Sequence, residues 1–147
     1  RKRYTEAEMK AKLERFFKKK GMFGTEVIEK VIRRLDELNY LNDEEYAKAY
    51  VSDRVKFRPK GKFLLKRELT KKGVEKELIQ KTLDGMEIDE VVLATEVLER
   101  VQKKWAKFPI MEQRNKAYRY LAARGFNGDS IYKAVSTCYN RVNQVES

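Results

Sequence analysis

The sequence predicts an all-α fold built from three tandem three-helix repeats, the last of them truncated. Three observations lead there. Apolar residues recur at threes and fours, as in Val27, Ile28, Val31, Ile32, Leu35 and Leu38, the spacing of one helix face. No convincing stretch of two-residue alternation, the mark of a half-buried strand, is left over. A basic residue, a glycine and an apolar residue recur as Lys20-Gly21-Met22, Lys72-Gly73-Val74 and Arg124-Gly125-Phe126, with successive glycines 52 positions apart. Units of this kind bury their apolar faces on their neighbours, so an elongated, curved body is expected.

The helices follow in order. The first is expected near 5–20, where Thr5 and Glu8 have capping-box spacing. The second, near 25–38, carries the apolar run quoted above. The third, near 42–57, opens with Asn42 and Glu45 at the same spacing, and Asp43, Glu44 and Glu45 fall in its first turn. Helices near 61–72 and 75–85 flank Gly73. The sixth, near 88–106, carries Val91, Thr95, Leu98, Val101 and Trp105 on one stripe, with Asp89 and Glu90 at its start. Helices near 110–124 and 128–140 flank Gly125. In the last, Cys138 shares an apolar pattern with Ile131, Val135 and Val142 and is expected to be a buried, inert thiol.

Each repeat glycine is expected to end its helix in the left-handed conformation. Core positions recur with it. Leu13, Leu65 and Ala117 stand eight residues before, Phe17, Leu69 and Leu121 four before, and Val31, Leu83 and Val135 ten after. Gly24 implies a longer loop in the first copy, which shifts its second helix by one residue. The expected divisions are 1–57, 58–108 and 109–147, the last copy lacking a third helix.

Composition narrows the function. The 147 residues carry 34 basic and 23 acidic side chains, a net charge of +11, and no histidine. Serine–histidine and cysteine–histidine triads are therefore excluded. The glycines are scattered singly, with no phosphate-binding loop. One cysteine rules out an internal disulfide, and no apolar run approaches the roughly 20 residues that cross a bilayer. The charged opening residues carry no signal-peptide core, so a cytoplasmic protein without a membrane partner is expected. The carboxylates at Asp43–Glu44–Glu45 and Asp89–Glu90 could serve a two-metal nuclease, but they read as helix starts, where negative charge favours the dipole. No catalytic residue, cofactor or metal is expected.

The positive charge is patterned. Residues 1–20 sum to +6, 21–53 to −4, 54–76 to +8, 77–98 to −5 and 99–124 to +6, and the remainder balance. The basic blocks coincide with the first helix of every copy. Six residues before each glycine stands an arginine, Arg15, Arg67 or Arg119, pointing away from the apolar stripe. Lys12, Lys19, Lys71 and Lys116 fall on the same exposed side, and Lys62, Lys66 and Arg124 complete the candidate binding set. Lys20, Lys72 and Arg124 also suit the C-terminal dipole and lie nearer the core side. Solvated helix faces are the plain alternative. A surface shared with a polyanion explains better why arginine, which grips phosphate or carboxylate bidentately, keeps one phase. Among the aromatics, Tyr46, Tyr50, Phe57 and Trp105 follow core spacing, whereas Phe16 and Tyr120 beside the arginines are the better candidates for base stacking.

Tandem three-helix modules also suit a Myb-like helix-turn-helix reading, in which each third helix enters the major groove. Here those helices open with Asp43-Glu44-Glu45 and Ile88-Asp89-Glu90, and carboxylates repel phosphates. Four segments point elsewhere. Arg3-Tyr4-Thr5-Glu6-Ala7-Glu8-Met9 with Lys12-Leu13 looks like Arg-x-Ser/Thr-x-x-Glu-Leu-x-x-Lys-Leu, with Met9 in place of the first leucine. Tyr40-Leu41-Asn42-Asp43-Glu44-Glu45-Tyr46-Ala47 is similar to Tyr-Leu-Asp-Asp-x-x-Phe/Tyr-Ala, with Asn42 in place of the first aspartate. Gly61, Leu65, Glu68, Leu69, Lys72 and Gly73 follow Gly-x3-Leu-x2-Glu-Leu-x2-Lys-Gly. Leu121, Arg124, Gly125, Phe126 and Ile131 follow Leu-x2-Arg-Gly-Phe-x4-Ile.

In this order the four segments resemble the RecX family, regulators of the RecA recombinase, over essentially the whole chain. The first helix is about a turn longer than that pattern, and a segment preceding Arg1 is expected. The resemblance implies a curved protein of three tandem three-helix repeats. It implies binding to the RecA–DNA filament and inhibition of its strand-exchange, ATPase and coprotease activities, within DNA repair, recombination and the SOS response. RecA is then the main partner, with weaker, non-specific contact to single-stranded or duplex DNA, and a monomer is expected. The alternative from another class is a stand-alone DNA-binding module using the same basic stripes.

Overall fold

Helix-forming segments end where the sequence places a glycine, a proline or a capping side chain, and the computed structural model follows them closely. It describes residues 3–21, 24–38 and 41–146. Met22 and Tyr40 of the segments quoted above, and the side chain of Val142, lie outside the described residues. In chain order the helices are α1 (Glu6–Lys19), α2 (Thr25–Glu37), α3 (Asp43–Phe57), α4 (Lys62–Lys71), α5 (Lys76–Gly85), α6 (Glu90–Val101), α7 (Ile110–Ala123) and α8 (Gly128–Glu146). The fold is all-α, with no strand among the described residues. Two ends differ from expectation. The sixth helix tightens into a 3₁₀ turn over Gln102–Trp105 ahead of Pro109, a common way to close an α-helix. The last helix continues to Glu146, because neither glycine nor proline follows Gly128 to stop it.

The three repeat glycines all take positive φ, +71° at Gly21, +87° at Gly73 and +83° at Gly125. Each ends its helix as the periodicity predicts, a conformation that costs any residue with a Cβ. The N-caps that follow sit at Gly24, Glu75 and Asn127, and Asn127 Oδ1 accepts the Ser130 N–H at 2.8 Å. The cap thus stands three positions after Gly21 and two positions after each of the other glycines, which is the one-residue shift expected from Gly24.

The chain divides into two compact units, Arg1–Tyr50 with Glu68–Met86, and Val51–Arg67 with Glu87–Ser147. In the first, Ile28, Ile32 and Leu41 are buried, with Met9, Leu13, Phe17 and Leu35 half-buried against them. Thr5 caps α1 by accepting the Glu8 N–H at 3.0 Å, and Glu8 answers at the Thr5 N–H, a complete capping box. The Thr5 hydroxyl, wholly buried, also donates to the Lys72 carbonyl at 2.6 Å. A Cβ on Gly73 would collide with the Cβ of Ala7, so this glycine meets two demands at once.

The second unit has the larger core. Leu93, Ala94, Val97 and Leu98 of α6 pack with Ala117 and Leu121 of α7 and with Ile131, Ala134, Val135 and Tyr139 of α8. Glu90 ties three chain segments together. Its buried carboxylate accepts the backbone N–H of Lys62 and both the backbone N–H and the side-chain amide of Asn127. The Gly61 N–H donates to the Arg124 carbonyl at 2.8 Å, and a Cβ on Gly61 would strike the Gly125 carbonyl. Repeat positions are unequally buried. Leu65, Leu69, Ala117 and Leu121 are fully buried, while Leu13 and Phe17 are half-buried against the smaller cluster.

Candidate functional site

The candidate residues sort by unit. Lys12, Arg15, Lys19 and Lys71 belong to the first, and Lys62, Lys66, Arg67, Lys116, Arg119 and Arg124 to the second. Arg15, Arg67 and Arg119 are all exposed, as their phase predicts, and so are Lys12, Lys19, Lys66 and Lys71. Helical geometry accounts for this. Six residues before the glycine lies across the helix from the positions four and eight before it, which hold the core.

Other candidates are engaged. The Lys12 ammonium donates to the Tyr4 hydroxyl at 3.0 Å and stands 4.7 Å from the centre of its ring. Lys116 is half-buried, not on the fully exposed side, with its ammonium 4.5 Å above the Phe108 ring. Arg124 is half-buried, its guanidinium 3.5 Å over the Tyr120 ring. Lys72 is half-buried beside Glu8, at 3.7 Å, while Lys20 is exposed and does not lean on the core.

The aromatics divide differently from their sequence spacing. Phe16 is 54% exposed, as a stacking candidate should be. Tyr120 is not free to stack, because Trp105 meets its ring edge-on at 5.6 Å and Arg124 covers a face. Tyr46 and Tyr50 are half-buried and stacked at 6.2 Å, whereas Phe57, placed by spacing in the core, is 75% exposed. Phe57 is the last residue of α3, where the chain leaves the helix and its apolar stripe loses its neighbours.

The acidic starts behave as caps. Asp89 accepts the N–H groups of Val91 and Val92, and Asn42 accepts that of Glu45. Asp43 accepts the Glu6 N–H, and Glu44 pairs with Lys48 and Lys81. Among the described residues no group of three carboxylates or thiols could hold a metal ion, and no helix is long and apolar enough to cross a membrane. Cys138 is half-buried and not fully enclosed as expected. Sequence reasoning missed Arg58, Lys60 and Arg100, which share a cleft with Arg124. The run Arg58-Pro59-Lys60-Gly61-Lys62 signalled two of them; Arg100 is brought there by tertiary packing alone.

Comparison with known proteins gives a consistent picture. Residues 42–83 match the family model described as RecX, second three-helix domain, and residues 88–135 the model of the third three-helix domain. The matched segments open beside the starts of α3 and α6. The chain is 36% identical over 118 residues to the regulatory protein RecX of Bacillus subtilis, covering 80% of this chain and 45% of that protein. It is 34% identical to that of Deinococcus radiodurans, covering 89% and 59%, and so spans about half the length of these two relatives. The RecX of Prosthecochloris aestuarii is 34% identical, covering 77% of this chain and 73% of that protein. The fold of the chain is similar to the crystal structure of RecX from Lactobacillus salivarius, with a TM-score of 0.79 over 92% of this chain and 86% of that one, at 22% identity.

Proposed function

The chain belongs to the RecX family of regulatory proteins, and on that premise we propose that it is a non-enzymatic negative regulator of the RecA recombinase. It binds the RecA–DNA filament as a monomer, blocks filament growth, and thereby lowers recombinase, ATPase and coprotease activities. The observation that supports this reading is the exposed arginine six residues before each left-handed glycine, at Arg15, Arg67 and Arg119. With Lys12, Lys19, Lys62, Lys66, Lys71, Lys116 and Arg124 these side chains face DNA phosphates or acidic protomer surfaces. Guanidinium is suited to both partners through its paired donors. The acidic segments 21–53 and 77–98 oppose indiscriminate coating of DNA by repulsion from its phosphates. No chemistry is required of a ligand that occupies a surface the filament needs.

The second reading, a stand-alone DNA-binding module, is favoured by the same basic helices. One experiment separates them. The purified chain is added to preformed RecA filaments while RecA-dependent ATP hydrolysis is followed, and its affinity for bare DNA is measured alongside over a salt titration. A filament regulator slows hydrolysis at concentrations where bare-DNA binding is weak. A stand-alone binder instead shows tight bare-DNA binding with a log–log salt slope of about −0.7 per neutralised phosphate on single strands, and it leaves RecA alone unless DNA is competed away.

A further inference from the structure

In the second unit the C-terminal ends of α3, α6 and α7 surround a cleft of about 530 Å³. Arg58, Lys60, Arg100 and Arg124 line it, and no carboxylate does. Its walls are fixed by contacts already described. The Gly61 N–H is bonded to the Arg124 carbonyl and Gly61 has no room for a Cβ, so the loop carrying Arg58 and Lys60 is held on the end of α7.

Cations beside helix C-termini can simply complement the dipoles, but the magnitudes do not balance here. Each helix end carries about −0.5 of a charge, so three ends amount to about −1.5 against the three full positive charges of Arg58, Arg100 and Arg124 alone. The carbonyls of Leu121, Ala122 and Arg124 at the end of α7 already accept the N–H groups of Phe126, Gly125 and Gly61. A positive excess in a concave site draws an anionic ligand. The volume falls within the roughly 300–1,000 Å³ of small-ligand sites.

The aromatics say which anion. Phe57, three-quarters exposed, stands at this cleft, and Tyr120 lies within it under the Arg124 guanidinium. Cations for phosphates beside an open ring for a base are the two components of single-strand binding. An acidic polypeptide would satisfy the cations and leave the phenyl ring unused. We propose that this cleft binds a nucleotide unit of single-stranded DNA, with phosphate on Arg58, Arg100 and Arg124 and the base stacked on Phe57. The assignment rests on the preceding reading in taking DNA as a ligand, and it shares only Arg124 with the basic faces named there.

The test uses the full chain, without RecA, and the fluorescence anisotropy of a labelled oligo-dT. Phe57→Ala weakens binding at least about fivefold, and Phe57→Tyr, which keeps a ring, restores it. Arg58→Glu combined with Arg100→Glu weakens it further and flattens the salt slope by about 0.7 for each phosphate no longer neutralised. All three side chains are exposed, so the thermal unfolding of the variants, followed by circular dichroism, stays with the parent. Unchanged oligo-dT affinity in both the alanine variant and the double variant overturns the assignment. So does a polyglutamate peptide that binds more tightly than oligo-dT, is released by the double variant and ignores Phe57→Ala, since the occupant is then an acidic polypeptide. RecA-dependent ATP hydrolysis with the parent separates the two failures. Inhibition by the parent with oligo-dT binding insensitive to these variants removes this site and leaves the filament reading. Variant-sensitive oligo-dT binding without inhibition supports this site and removes the filament reading.

Discussion

The Thr5 hydroxyl donates to the carbonyl of Lys72 at 2.6 Å, across 67 residues of chain. Its counterpart is the Gly61 N–H bonded to the carbonyl of Arg124 at 2.8 Å. Both carbonyls belong to the residue just before a left-handed glycine, at the helix end where backbone acceptors lack intrahelical partners. In each case the N-cap of an earlier helix, α1 or α4, supplies the donor. The 52-residue spacing therefore recurs in the tertiary acceptors Lys72 and Arg124 as well as in the left-handed glycines that follow them.

Thr5→Ala removes both the cap of α1 and the donor to Lys72, inside a site with no access to water. Urea unfolding should show a loss of about 2–3 kcal/mol. Thr5→Ser keeps the oxygen and should lose under about 1 kcal/mol.

The three repeat glycines should rank unequally on substitution by alanine. Gly21 has open space around it, so only the left-handed backbone is strained, at about 1–2 kcal/mol. At Gly73 and Gly125 the new methyl also meets Ala7 or Leu64, which adds about 1–3 kcal/mol of overpacking. Thermal midpoints of the three variants give the order directly.

Glu90→Ala leaves the N–H groups of Lys62 and Asn127 without their acceptor in a buried place. The expected cost in denaturant unfolding is about 3 kcal/mol or more, and Glu90→Gln, which retains one acceptor oxygen, should cost less.

Tyr139 is buried and its hydroxyl has no hydrogen-bond partner among the described residues. Burial pushes its pKa above the usual 10.0, and the charge of Cys138 adds to the rise. The phenolate is thus favoured by unfolding. Stability is held below the unfolded value and falls as pH climbs through the raised folded one. Urea unfolding near neutrality should find Tyr139→Phe at least as stable as the parent, and repeated at alkaline pH it should show a smaller loss in the variant.

Periodic features were legible in the sequence because period is a local property. The helices, the left-handed glycines and the outward phase of Arg15, Arg67 and Arg119 all follow from counting. Counting fixes the spacing of a repeat and leaves open the residue at which a unit starts. Single side chains at helix ends were also illegible. Glu90 reads as a dipole-complementing first-turn carboxylate and is a buried clasp, because its partners Lys62 and Asn127 are 28 and 37 residues away. Phe57 reads as core by spacing and is exposed because its helix stops there. The cleft cations Arg58, Arg100 and Arg124 share no repeat phase, so no count could gather them.

The most direct test of the proposed function is charge reversal at Arg15, Arg67 and Arg119 together, read as inhibition of ATP hydrolysis by preformed RecA filaments. All three are exposed, so unfolding stability should change by no more than about 0.5 kcal/mol per site. The folded triple variant should no longer slow hydrolysis at concentrations where the parent inhibits fully. Undiminished inhibition by the triple variant would contradict a binding role for Arg15, Arg67 and Arg119.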